Sequence, residues 1–130
     1  MPDPSATLAE LLADHDRVGV TGGPKVGKTT ICMGVDDRVV VNTDATKDMP
    51  WEDQPHEIIR MLKGLDRYLI EGVQVPRALR KGLELDALLV LSKPHEERTP
   101  RQEGMAKGVE TVLADWERGN KDGKTKVVRL

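Results

Sequence analysis

The sequence predicts an α/β protein built as a three-layer α/β/α sandwich around a mostly parallel sheet of five strands. Its short strand-like runs are apolar along most of their length, which is typical of strands that helices cover on both faces. These runs alternate with helical patterns along the chain, and that alternation favours a parallel sheet. The chain has 130 residues, of which 38% are apolar and 32% charged. This length suits one domain, so we expect a single domain over residues 1–130.

Five runs of β-branched and aliphatic residues predict the strands. The second run (Arg-Val-Val-Val-Asn) and the fourth (Asp-Ala-Leu-Leu-Val-Leu-Ser) show the pattern most clearly, because polar residues occur only at their ends. The predicted strands are residues 17–21, 38–42, 67–70, 86–92 and 125–130. A helical pattern follows each of the first four strands.

Helical segments fill the intervals between these strands, and one segment precedes the first strand. The clearest helix start lies at Thr99, because Pro100 suits the first helical position and Gln102 completes a capping box. The helix that opens at Lys28 is expected to be short, since Gly34 interrupts it. The predicted helices are residues 5–16, a short segment from Lys28, residues 55–63, residues 76–81, and a long segment from Thr99 to Gly119.

Charge and composition exclude several classes of protein. The 20 Lys and Arg residues oppose 22 Asp and Glu residues, so the net charge is −2, and we expect no nucleic-acid partner. Aromatic residues make up 2% of the chain, too few for a surface that stacks bases. No apolar run approaches the roughly 20 residues of a membrane helix, and no secretory leader is recognisable. With Cys32 as its one cysteine, the chain is expected in the reducing cytoplasm.

Residues 22–29, Gly-Gly-Pro-Lys-Val-Gly-Lys-Thr, fit the pattern G-x-x-x-x-G-K-[ST] at every defined position. Glycines let the backbone turn its N–H groups inward toward phosphate oxygens, and the following helix adds its positive end. Lys28 can reach the β- and γ-phosphates, and the Thr29 hydroxyl can ligate Mg²⁺. The motif therefore predicts binding of ATP or GTP with Mg²⁺. The predicted nucleotide-binding residues are Gly22, Gly23, Pro24, Lys25, Val26, Gly27, Lys28, Thr29 and Thr30.

With this motif between a strand and a helix, nearly the whole chain resembles the P-loop nucleoside and nucleotide kinase group. The resemblance implies a P-loop NTPase fold. It also implies a substrate-side carboxylate at Asp44, after the second strand, and a carboxylate for the Mg²⁺ site at Glu71, after the third. Arg98 and Arg101 match the arginines of a lid, here a short one over residues 93–101.

The chain departs from this group in two places. The D-G-[FY]-P-R signature of typical nucleoside monophosphate kinases is missing, and Glu-Gly-Val-Gln-Val-Pro-Arg stands at residues 71–77. The lid is also short, which leaves room for a protein partner that supplies a catalytic arginine. For Asp44 the alternative role is to cap a turn, and for Arg98 it is to pair with Glu96 or Glu97 at the surface.

The predicted reaction is transfer of the γ-phosphoryl group to a nucleoside, a nucleotide or another small hydroxyl acceptor. Two alternatives remain open. One is an ATPase with water as acceptor that works as a switch or motor component, and the other is a nucleotide-binding module with little catalysis. The predicted metal-binding residues are Thr29 and Glu71. The predicted catalytic residues are Lys28, Asp44, Glu71, Arg98 and Arg101.

Overall fold

A computed structural model describes residues 3–120 and 122–130, and it has five strands in one sheet and five α-helices. In chain order the strands are β1 (Arg17–Gly22), β2 (Val39–Asn42), β3 (Tyr68–Glu71), β4 (Ala87–Leu91) and β5 (Lys126–Arg129). The helices are α1 (Pro4–Asp14), α2 (Lys28–Cys32), α3 (Gln54–Leu62), α4 (Val75–Arg80) and α5 (Pro100–Gly119).

The five strands lie in the order β2-β3-β1-β4-β5, and every neighbouring pair is parallel. The prediction of a mostly parallel sheet is thus sharpened to an all-parallel one. The reason is that a helix lies in each connection between consecutive strands, and such a crossover returns the chain to the same end of the sheet.

Helices cover both faces of the sheet, as a three-layer sandwich requires. On one face, Ile58 of α3, Leu79 of α4 and Leu113 of α5 pack with Ile70 and Leu88 of the strands. On the other face, side chains of α1 and α2 pack with the remaining strand residues; these include Leu8, Leu11, Cys32, Val18, Val20, Leu69 and Leu89. The alternation of strand side chains between two helical layers explains why the inner strands β1, β3 and β4 are buried along their length. The edge strand β2 differs from the expectation of a strand covered on both faces, because Val39 and Val40 are exposed there.

The topology creates a crevice between two neighbouring strands. From β1 the chain passes β3 to reach β2, whereas from β3 it passes β1 to reach β4. The connections that follow β1 and β3 therefore leave in opposite directions. Ligands of open α/β sheets bind outside the carboxyl ends of strands at such a point.

The predicted elements exist, and their bounds are shifted by one or two residues. The long helix has the predicted capping box, with Thr99 and Gln102 bonded to each other's backbone. A short 3-10 helix at Thr43–Thr46 was not predicted. None of the helices that the structure describes combines the length and the apolarity needed to cross a membrane.

Candidate functional site

Residues 22–29, which join β1 to α2, are called the phosphate loop below, after the ligand that their sequence pattern predicts. Gly27 precedes α2 with a φ of 86°, a left-handed conformation that favours glycine. Gly23 is buried, and a Cβ at this position would lie 2.6 Å from the Cβ of Ala106 in α5. The long helix therefore packs directly on the phosphate loop, and a side chain at Gly23 would push the two apart.

The tip of the phosphate loop is tied to the segment that follows β4. Lys25 has a φ of 67°, which is unusual for a residue other than glycine. The His95 N–H donates to the Lys25 carbonyl at 2.8 Å, and the Lys25 ammonium lies 3.1 Å from a Glu96 carboxylate oxygen. These contacts hold Lys25 in a strained backbone conformation, so the loop is fixed before any ligand arrives.

The ammonium of Lys28 points back over the loop that precedes it. Its Nζ donates to the Gly23 carbonyl oxygen at 2.7 Å. Burial lowers the pKa of Lys28, and Glu71 and Asp44 oppose that shift while Arg98 adds to it. A partly desolvated cation of this kind is stabilised by an incoming anion.

Glu71 ends β3 and is 3% exposed. Its Oε1 accepts a hydrogen bond from the Thr29 hydroxyl at 2.7 Å and another from the Asn42 side-chain amide at 3.0 Å. Asn42 ends β2 and is paired in register with Glu71. Three neighbouring elements thus bring a hydroxyl, an amide and a carboxylate to one point at the carboxyl edge of the sheet.

Asp44 lies in the 3-10 helix, two residues after the end of β2. Its backbone N–H donates to Asn42 Oδ1 at 2.8 Å, so the Asn42 side chain caps this turn. The Asp44 side chain is exposed and lines the cavity described below. The Asn42 side chain therefore holds the Glu71 carboxylate through its amide nitrogen and the Asp44 backbone through its oxygen.

The two predicted lid arginines occupy different environments. The Arg98 side chain is 8% exposed, and its Nε donates to the Pro24 carbonyl at 2.7 Å. Its guanidinium also lies 3.9 Å from Glu103, not beside Glu96 or Glu97 as the surface alternative supposes. Arg101, in the first turn of α5, is exposed and lines the cavity, which Arg98 does not. Arg98 therefore holds the phosphate loop without lining the cavity, whereas Arg101 lines the cavity and is exposed to solvent.

A cavity of about 640 Å³ lies over these residues at the crevice between β1 and β3. It brings together Lys28, Thr29, Asp44, Glu71 and Arg101. Lys25 and Lys47 also line the cavity. Its Lys and Arg side chains therefore number four, and its carboxylates, Asp44 and Glu71, number two. The cavity has the size of a small-molecule site and a surplus of positive charge.

The residues around Glu71 fit a Mg²⁺ ion that keeps part of its water. Mg²⁺ takes oxygen ligands, and in nucleotide sites it uses one or two protein oxygens beside phosphates and water. The Thr29 hydroxyl and the Glu71 carboxylate supply such oxygens. Across residues 3–120 and 122–130, no three His, Cys, Asp or Glu side chains are grouped so that they could hold a metal ion.

Two residues that shape the cavity wall were not singled out from the sequence. Gln54 and Gln74 are buried, the Gln74 amide donates to Gln54 Oε1 at 2.8 Å, and Gln54 donates to the Met49 carbonyl at 2.9 Å. This chain of amides holds the loop that carries Trp51 against the start of α4. Asn42 was also missed, although its place at the end of a strand, two residues before Asp44, is a usable signal.

We compared the chain with protein families, curated proteins and solved structures. No protein-family model matches the chain, and no curated protein or solved structure matches it either.

Proposed function

We propose that this protein is a P-loop phosphotransferase that binds ATP or GTP with Mg²⁺ and transfers the γ-phosphoryl group to the hydroxyl of a small acceptor. The observation that carries the proposal is the grouping of Lys28, Thr29 and Glu71 in one cavity at the crevice between β1 and β3. The Thr29 hydroxyl at the end of the phosphate loop lies 2.7 Å from the buried Glu71 carboxylate. This pair of oxygen groups beside the loop suits a triphosphate that carries a metal ion.

The charge of the cavity supports a nucleoside triphosphate as the first substrate. Four cationic side chains face two carboxylates there, and a triphosphate with one Mg²⁺ carries a charge of about −2. The two charges therefore balance. When bound, Mg²⁺ supplies charge neutralisation at the phosphate oxygens. The desolvated Lys28 ammonium offers its protons to those oxygens in place of the Gly23 carbonyl.

Asp44 suits the acceptor side of the cavity. Its carboxylate is exposed at the cavity edge, and its backbone is fixed by the hydrogen bond to Asn42. In the proposed step the acceptor oxygen forms a bond to the γ-phosphorus, while the bond from that phosphorus to the β–γ bridging oxygen breaks. The acceptor proton passes to the Asp44 carboxylate, and the nucleoside diphosphate leaves.

Arg101 is the arginine best placed to act during transfer. It lines the cavity and is exposed, so its side chain can move toward a phosphate. Arg98 contributes by holding the Pro24 carbonyl, and hence the shape of the phosphate loop. We therefore assign charge stabilisation to Arg101 and loop positioning to Arg98.

The test uses γ-labelled ATP or GTP with Mg²⁺, alone and with a panel of nucleosides, nucleotides and small alcohols. Lys28→Ala is the control, since it keeps the cavity but removes the cation. Label on an acceptor that disappears with Lys28→Ala supports the proposal. Label that appears only as inorganic phosphate favours the ATPase alternative. Nucleotide binding without labelled acceptor or labelled phosphate favours a nucleotide-binding module. Either the hydrolysis-only result or the binding-only result overturns phosphoryl transfer.

A further inference from the structure

A second cavity, of about 440 Å³, lies beside the first one, between α4 and α5. Trp51, Val73 and Met105 line both cavities, so the two are adjacent. Beyond those residues, Val109 and Val112 of α5 form an apolar side. We call this second cavity the α4–α5 groove. Its volume suits a small organic molecule.

Arg77 gives the groove a positive charge that no ion pair among the described residues neutralises. Within the described residues, no acidic side chain lies within 4.0 Å of its guanidinium, whereas the neighbouring Arg80 is paired with Asp115 at 3.4 Å. The Arg77 guanidinium lies 4.4 Å from the centre of the Trp51 ring, and its Nη1 donates to the Trp51 carbonyl and to Gln74 Oε1, both at 3.0 Å. Burial, and then the charge of Arg80, lower the pKa of Arg77, and the carboxylate of Glu52 opposes that shift. A cation held in this way is complementary to an anion.

Gly108 leaves space in the wall of the groove. It lies inside α5, where glycine is less favourable than alanine. A Cβ at Gly108 would meet no atom within 4 Å in the part of the chain that the structure describes. Packing between described residues therefore does not require a glycine at this position, and the absence of a side chain leaves room for a ligand in the groove.

We propose that the α4–α5 groove binds the body of the acceptor, and that the acceptor is a hydroxylated apolar organic acid. Its ring or chain contacts Trp51, Met105 and Val109, its acidic group pairs with Arg77, and its hydroxyl points toward Asp44 in the adjacent cavity. The assignment of this ligand as acceptor rests on the proposed phosphoryl transfer. Binding of an apolar anion in the groove does not.

Binding is measured first, with Trp51 as the reporter. Trp116→Phe leaves Trp51 as the single tryptophan, and the probes are 8-anilinonaphthalene-1-sulfonate and its uncharged twin N-phenyl-1-naphthylamine. We expect the sulfonate to quench Trp51 and to bind at least about tenfold more tightly than the twin, and Arg77→Gln to abolish that preference. Equal affinity for the two probes, or a preference that survives Arg77→Gln, would overturn the inference.

A matched pair of glycine variants locates the probe without relying on Arg77. Gly108→Leu and Gly104→Leu both replace an exposed glycine of α5 whose Cβ would have no neighbour within 4 Å among described atoms, but only Gly108 lines the groove. Both are expected to keep or raise the melting temperature, because leucine favours helix. Only Gly108→Leu is expected to weaken sulfonate binding, by about fivefold or more. A similar effect of both variants, or of neither, would contradict the assignment.

Transfer is then measured with 6-hydroxy-2-naphthoate and with 2-naphthol, which lacks the carboxylate. Label from γ-labelled ATP on the hydroxynaphthoate, in preference to the naphthol and lost in Gly108→Leu, supports the inference. Label that goes only to a nucleoside or nucleotide overturns the inference and leaves the proposed function standing. Absence of labelled acceptor of any kind, with hydrolysis to phosphate or without it, counts against the proposed function itself.

Discussion

The Thr29 hydroxyl donates a 2.7 Å hydrogen bond to Glu71, a residue 42 positions further along the chain. The contact exists because β1 and β3 are neighbours whose carboxyl ends lie at the same edge of the sheet. Glu71 is 3% exposed, and a buried carboxylate needs partners that replace water. Thr29 and Asn42 supply them, so the Glu71 carboxylate is held in place in the free protein.

Lys28 is expected to reduce the stability of the free protein at neutral pH. Burial holds its pKa below the ordinary 10.5, so between the folded pKa and 10.5 the unfolded chain binds more protons than the folded one. The wild-type free energy of unfolding therefore rises with pH across that window because of Lys28. We expect Lys28→Met to be more stable than the wild type at pH 7 and to lose part of that advantage by pH 10.

Urea unfolding of both proteins at the two pH values measures this difference directly. The free energies of unfolding of Lys28→Met and the wild type are compared at the same pH, so that the titration of groups common to both proteins cancels. A stability difference between Lys28→Met and wild type that is the same at pH 7 and pH 10 would contradict the role of burial.

Asn42→Ala is expected to lower kcat about tenfold or more while the protein stays folded. The substitution removes one of the two hydrogen bonds to the Glu71 carboxylate and the cap of the turn that carries Asp44. Loss of a group that orients a metal-site carboxylate commonly costs about 10–100-fold in activity or metal affinity. The measurement is steady-state turnover across a Mg²⁺ titration. We expect a higher Mg²⁺ concentration at half-maximal rate, and an unchanged Mg²⁺ dependence would rule out this role.

We expect Arg98→Ala to lower the free energy of unfolding and Arg101→Ala to lower turnover. Arg98 is 8% exposed and donates to the Pro24 carbonyl, and losing a charged hydrogen bond of this kind costs about 2 kcal/mol. Arg101 is exposed, so its removal should change stability by less than about 0.5 kcal/mol. Turnover should fall by about a hundredfold in Arg101→Ala, because an arginine acting on the transferring group is lost. Denaturation and kinetics on both variants check the pair, and the reverse pattern would refute the two assignments.

Gly72→Ala is expected to destabilise the fold by about 3 kcal/mol or more. A Cβ at Gly72 would lie 1.8 Å from the Thr43 hydroxyl oxygen, in backbone with a φ of 138°. Gly64→Ala is the matched control, because its φ is 84° and its Cβ would meet no described atom within 4 Å. The control should lose only about 1–2 kcal/mol from backbone strain. Equal losses in urea unfolding would show that the contact with Thr43 is not tight.

The sequence predicts the strands and helices of this chain well because their signals are local. The capping box at Thr99 and the apolar run of β4 each lie within a few residues. The Gly-rich pattern of residues 22–29 is also contiguous, and the structure places it between β1 and α2, as the sequence predicts. Strand order is different, since it depends on which crossovers bury the helices best, and periodicity alone does not give it.

Side-chain roles that depend on distant partners could not be predicted. Arg98 lies 74 residues from Pro24 in sequence, and only the fold shows that its guanidinium meets that carbonyl. Asn42 is similar: its amide reaches Glu71 because β2 and β3 pair with those two residues in register. A local pattern gives the residue type at a site, whereas long-range packing decides which atom it contacts.

Binding of a nucleoside triphosphate with Mg²⁺ at residues 22–29 underlies every role proposed above. It is measured by titration calorimetry with a non-hydrolysable ATP or GTP analogue, with and without Mg²⁺. We predict saturable binding at one site per chain that is stronger with Mg²⁺ and at least about tenfold weaker in Lys28→Ala. Absence of binding to the wild type, or equal affinity in Lys28→Ala, would show that these residues do not form a nucleotide site.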